Sequence, residues 1–141
     1  MSHYLDTSAI IAALIHEPHS TAIRDWLRDR PANSLFIGHW AVTEVHSALS
    51  VRVRTGTLTE ADKSQVLDAW QILLSDSLTV IAVDAGHFDR AAAIADHHSL
   101  GIRAGDALHL AVAEQAALTL VTFDKTMSKA AGHFSIAVEP I

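Results

Sequence analysis

Asp6, Glu44, Asp106 and Asp124 are the residues whose types and positions could do chemistry. Each acid falls where an apolar, strand-like run has just ended or a helix-like segment is under way. In a parallel α/β sheet such places share one edge, so four acids far apart in sequence can converge there. A cluster of that kind suits a hard divalent cation, Mg²⁺ or Mn²⁺, which prefers oxygen ligands and keeps positions open for water and substrate phosphate. The chemistry this implies is phosphodiester hydrolysis by a metal-activated water, with the cation stabilising charge on phosphorus and on the leaving oxygen.

The bland reading is that Asp6, Asp106 and Asp124 are helix caps, because aspartate is favoured at N-caps and near the positive end of the helix dipole. Glu44 resists that explanation. It lies inside a helical stretch, on the flank of the apolar stripe Val42, Val45, Ala48 and Leu49, where a carboxylate needs a partner. Convergence also has an electrostatic cost: two carboxylates about 6 Å apart at an effective dielectric of about 20 repel by roughly 3 kcal/mol. A cation or raised pKa values must offset it. Asp84 also follows an apolar run and precedes a helix, so spacing alone does not separate it from the four.

The elements that must position these acids follow from patterning. His3 to Leu5 reads as a first strand, followed by a helix that is apolar on every side over Ala9 to Ile15 and therefore buried. Ser20 is expected to cap an amphipathic helix running to about Arg30-Pro31. Leu35 to Gly38 is a second strand before a helix from about Trp40 to Arg54. Thr59 and Asp62 form a capping-box pattern for a helix to about Ser75. Leu78 to Val83 is a third strand, and Asp84 starts a helix through about Ala95. Gly101 to Gly105 reads as a turn, with Asp106 opening the nearly all-apolar helix Ala107 to Ala113. Leu118 to Thr122 is a fourth strand and Ile136 to Val138 a fifth. Strands separated by helices predict an α/β fold, a single-domain α/β/α sandwich with a mostly parallel central sheet.

Composition narrows the alternatives. A chain of 141 residues, half of them hydrophobic, fits one domain spanning residues 1–141 with a sizeable core. A formal charge of −6 argues against binding nucleic acid through overall charge, so any such contact is local or metal-assisted. The absence of cysteine excludes disulfides and thiolate chemistry. The N-terminus has no basic n-region and no apolar stretch is long enough to span a bilayer, which reads as a soluble cytoplasmic protein.

Taken together, Tyr4-Leu5-Asp6-Thr7-Ser8-Ala9, Thr43-Glu44, Arg103 through Ala111, and Leu120-Val121-Thr122-Phe123-Asp124 resemble a PIN-domain ribonuclease, and within that group a VapC-type toxin of a toxin–antitoxin pair. The resemblance spans nearly the whole chain. It implies a Mg²⁺- or Mn²⁺-dependent endoribonuclease acting on RNA. Asp6, Glu44, Asp106 and Asp124 would be its catalytic and metal-binding acids, with Thr122 and Ser8 orienting carboxylates or water. It sets Asp84 outside the site. It further implies a homodimer inhibited by a small VapB-type antitoxin, in a heterotetramer or larger assembly. Phe123 and His39-Trp40 depart from a generic member.

Among the remaining residues, His39, His46 and His109 lie near the acidic motifs, but a structural role is favoured because hard cations prefer oxygen. Arg103, Lys125 and Lys129 are candidate phosphate contacts, and Arg52 with Arg54 a second basic patch. Trp40 and Trp70 are candidates for stacking an unpaired base or burying a dimer contact, with core packing favoured for Trp70. Walker A, G-x-G-x-x-G, G-x-S-x-G and H-E-x-x-H patterns are all missing. A metal-dependent phosphatase or DNA nuclease would use the same acids, and a non-catalytic module could bind a basic partner in the same cleft.

Overall fold

The computed structural model describes residues 1–141. Strand β1 (His3–Leu5) leads into α1 (Thr7–Leu14) and α2 (Ser20–Arg28), and β2 (Leu35–Gly38) into α3 (His39–Arg54) and α4 (Glu60–Asp76). Strand β3 (Leu78–Ile81) precedes α5 (Ala85–Ala95) and, after a short 3₁₀ turn at His98–Leu100, α6 (Ala104–Gln115). Strand β4 (Thr119–Val121) and α7 (Lys125–His133) complete the chain. The four strands are all parallel in the order β3-β2-β1-β4, with Tyr4 opposite both Phe36 and Leu120.

Strand alternation divides the core in two. Tyr4 and Leu120 point into a cluster with Ile94 of α5, Leu110 of α6 and Met127 of α7. Their neighbours Leu5 and Val121 point into the other cluster, with Ile10 of α1, Val45 and Leu49 of α3 and Trp70 of α4. Helices therefore cover both faces of the sheet, the predicted three-layer α/β/α arrangement. From β1 to β3 the chain adds strands on one side, then returns through α5 and α6 to place β4 on the other side of β1. That reversal makes the carboxyl ends of β1 and β4 a topological switch point, where an open α/β sheet leaves a crevice.

Several local expectations need correction. The fifth strand shrinks to a single bridge between Leu120 and Val138, flanked by hydrogen bonds from Leu120 N to Ala137 O and from Glu139 N to Leu120 O, both 2.8 Å. Ser20 is the first residue of α2 rather than its cap: its hydroxyl donates to Ile15 O at 2.6 Å and accepts from Glu17 N at 2.7 Å, closing the preceding turn. Helix α6 starts at Ala104, so Gly105 is helical and Asp106 lies in the first turn. The turn before it is made by Gly101 alone, whose φ of 67° lies in the left-handed region that glycine enters without a Cβ clash. The Thr59–Asp62 capping box forms as expected, and Trp70 is fully buried. No helix is long and apolar enough to cross a membrane.

Candidate active site

Asp6 leaves the carboxyl end of β1 and is 1% exposed. Its Oδ1 accepts from Ala9 N at 3.0 Å, capping α1, and from Ser8 Oγ at 2.6 Å. Thr122 Oγ1, just past β4, donates to Asp6 Oδ2 at 2.5 Å. The same Thr122 oxygen accepts from Asp124 N at 3.0 Å, and Ser8 Oγ accepts from Phe123 N at 2.9 Å. The loops after β1 and β4 are thus laced together across the switch point. Burial pushes the Asp6 carboxyl above its ordinary pKa, against the opposing pull of the Ser8, Thr122 and Ala9 hydrogen bonds and of His109.

Glu44 reaches the same region from α3. His109 Nε2, from α6, pairs with Glu44 Oε1, and Thr7 Oγ1 donates to that same oxygen at 2.8 Å. The other His109 nitrogen, Nδ1, lies 2.7 Å from the Tyr4 hydroxyl. Partial burial would raise Glu44, but the hydrogen bond and charge of His109, with hydrogen bonds from Thr7 and the Trp40 indole, outweigh it and hold the carboxyl below its usual range. Burial holds the Tyr4 phenol well above its ordinary pKa, so it remains a donor.

Asp106 differs from the other two aspartates. Helix α6 is capped by Arg103 without a side-chain bond, and no protein group donates to the Asp106 carboxylate. It faces a cleft of about 630 Å³ shared with Glu44, Asp124, Arg103 and Trp40. Burial and then the charge of Asp124, with lesser contributions from Glu44 and Asp6, push its pKa up. Asp124 caps α7 by accepting from Met127 N at 3.0 Å. No three His, Asp or Glu side chains lie close enough together to form a cation cage.

Three of the four acids line one cleft, and Asp6, which does not line it, is linked to Asp124 through the Thr122 hydroxyl. Asp84 stands apart: it caps α5 in a capping box with His87, beyond the edge strand β3, with its side chain 67% exposed. Of the basic candidates, Arg103 borders the cleft, Lys125 and Lys129 are exposed on α7, and Arg52 is paired with Glu17 at 2.7 Å. Sequence reasoning did not single out Tyr4 and Thr7, which the structure places against His109 and Glu44, the histidine being read as structural. The signal available was a buried run broken by one histidine, which had to find a polar partner.

A parallel α/β/α sandwich with an acidic cleft at its switch point is the class of protein that this fold defines. The chain belongs to the PIN-domain family, whose model, described as "PIN domain", matches residues 3–133. It is 32% identical over 140 residues to Ribonuclease VapC35 of Mycobacterium tuberculosis, covering 96% of this chain and 93% of that protein. Its fold is similar to the crystal structure of Mycobacterium tuberculosis VapC20, a sarcin-ricin loop cleaving toxin. The TM-score is 0.73 at 19% identity, over 92% of this chain and 95% of that one. A toxin-antitoxin complex from Klebsiella pneumoniae aligns with a TM-score of 0.66 at 17% identity, over 99% and 98% of the two chains. These two structural likenesses concern the fold alone.

Proposed function

We propose that this protein is a Mg²⁺- or Mn²⁺-dependent endoribonuclease, the toxin of a type II toxin–antitoxin pair. The observation that carries the reading is the convergence of Glu44, Asp106 and Asp124 on one cleft over the buried Asp6, with the Asp106 carboxylate left free of protein donors. The donor set is oxygen-rich and anionic, which fits a hard divalent cation. Asp6, Glu44, Asp106 and Asp124 would hold it, and when bound it would activate water and stabilise charge at phosphorus.

The chain's own groups supply the rest. Ser8 and Thr122 fix both oxygens of Asp6, so that buried carboxylate has one orientation. Thr7 and His109 occupy Glu44 Oε1 and leave Oε2 for the cleft. Arg103, without an ion-pair partner, borders the same cleft and is suited to an incoming phosphate. The relationship to Ribonuclease VapC35 supports RNA as substrate, and the likeness to a toxin-antitoxin complex supports a small antitoxin partner. Homodimerisation, and a heterotetramer or larger assembly with the antitoxin, belong to the same proposal.

Purified protein incubated with structured RNAs and Mn²⁺ is expected to give discrete cuts. Chelation, Asp106→Asn and Asp124→Asn should each abolish them. Cutting that survives in both variants would overturn the assignment. Cleavage of DNA or phosphomonoesters in preference to RNA would overturn the substrate class.

A further inference from the structure

We infer that Trp40 is a nucleobase-stacking shelf in the acidic cleft, taking an unpaired base next to the phosphate held there; this rests on the ribonuclease reading. Trp40 is the second residue of α3, 36% exposed, and the only large apolar side chain lining the cleft. The other two tryptophans are otherwise engaged. Trp70 is fully buried, and Trp26 packs edge-on against His3 with ring centroids 4.8 Å apart, at the opposite end of β1 from Asp6.

The polar edge of the Trp40 ring packs over Gly105. Its indole nitrogen and the Glu44 carboxylate both lie close over Gly105: a Cβ at position 105 would sit 3.1 Å from Trp40 Nε1 and 3.2 Å from Glu44 Oε2. A side chain at Gly105 would crowd both groups by a few tenths of an ångström. An indole with its polar edge packed over Gly105 and more than a third of its surface in solvent presents an apolar platform to the cleft. Any nucleobase has a π-face for such a platform, provided that it is unpaired.

The surroundings favour a nucleotide over other aromatic ligands. Arg103 and the acid-held cation would both draw a phosphate into the cleft, and a phosphate arrives with its neighbouring bases attached. Stacking also supplies attraction that does not depend on charge, which matters for an acidic chain binding a polyanion.

Trp40→Phe and Trp40→Ala separate the ring from its N–H, since both lose the indole N–H and only alanine loses the platform. Binding of a 5′-labelled, unstructured oligoribonucleotide is read by fluorescence anisotropy, with Ca²⁺ replacing Mg²⁺ to preserve the RNA. We expect Trp40→Ala to bind about tenfold more weakly and Trp40→Phe to stay within about threefold of wild type. RNA should quench the indole emission of wild type and leave that of Trp40→Phe unchanged. Wild-type affinity in Trp40→Ala, or equal losses in both variants, would overturn the shelf. So would unaltered RNA binding combined with lost affinity for an arginine-bearing peptide, which would assign the ring to cation recognition. Wild-type protein that neither binds nor cuts RNA would instead defeat the ribonuclease reading on which the shelf depends.

Discussion

The Tyr4 hydroxyl lies 2.7 Å from His109 Nδ1, and the other nitrogen of that ring meets Glu44. Burial keeps Tyr4 protonated, and the His109 ring is held between its hydroxyl at Nδ1 and the Glu44 carboxylate at Nε2. A residue of β1 thereby sets the orientation of an acid on α3 through a side chain on α6.

Tyr4→Phe removes this lock without leaving a large void. The buried His109 Nδ1 loses its partner, so thermal or urea unfolding should show a loss of about 1–2 kcal/mol. Mn²⁺ affinity measured by calorimetry should also fall, by roughly 10-fold, as for loss of an outer-shell partner to a ligand. Unchanged affinity would confine Tyr4 to a packing role.

Asp106→Asn should raise the melting temperature at pH 7.5 in chelator, by about 2–4 °C. The sign follows from its raised pKa: the protonated form is favoured on folding, so the contribution to stability is full at low pH and is lost as pH rises through the native titration. The gap should therefore close near pH 4. A melting temperature that drops at pH 7.5 would mean that the carboxylate is a structural anchor.

Gly38→Ala should be among the more destabilising single changes near the site. A Cβ there would lie 2.6 Å from the Tyr4 hydroxyl, which is packed and cannot simply swing away. We expect a cost of about 1–3 kcal/mol by denaturant unfolding. Combining it with Tyr4→Phe should recover part of that loss, and full additivity would show that the two do not share a contact.

The Arg90–Glu114 pair tests electrostatics away from the cleft. Arg90 donates to both Glu114 oxygens, at 2.7 and 2.9 Å, and that hydrogen bonding holds the carboxyl below its usual range. A depressed acid stabilises above its unfolded pKa, and the gain disappears as pH falls through its native pKa. Glu114→Gln should cost under about 1 kcal/mol at pH 7, given the exposure of both partners, and nothing near pH 2.

Much of this was legible in the sequence. The strand, helix and cap signals around Asp6, Asp84 and Asp124 were local, because each depends on a side chain meeting a backbone N–H three residues on. Capping is compatible with the proposed site role of Asp6 and Asp124, since one carboxylate can bond a helix start and still face the switch point. Asp106 reads locally as a helix-opening residue, whereas the N-cap lies three residues earlier, at Arg103, where no cap side chain marks it. The fifth strand was overestimated because apolar residues near the C-terminus suit a strand whether or not a ladder continues beyond one bridge.

The sequence by itself determined the period-2 strands, the buried helices and the four acids at element junctions, since these follow from hydrophobic pattern and short-range hydrogen bonding. Only the tertiary structure decided that Tyr4 and His109, separated by 105 positions, and Glu44 and His109, separated by 65, form one relay. It alone set the Trp40 indole over Gly105. Those contacts arise where β1, α3 and α6 pack together, and no local spacing encodes which side chains meet there.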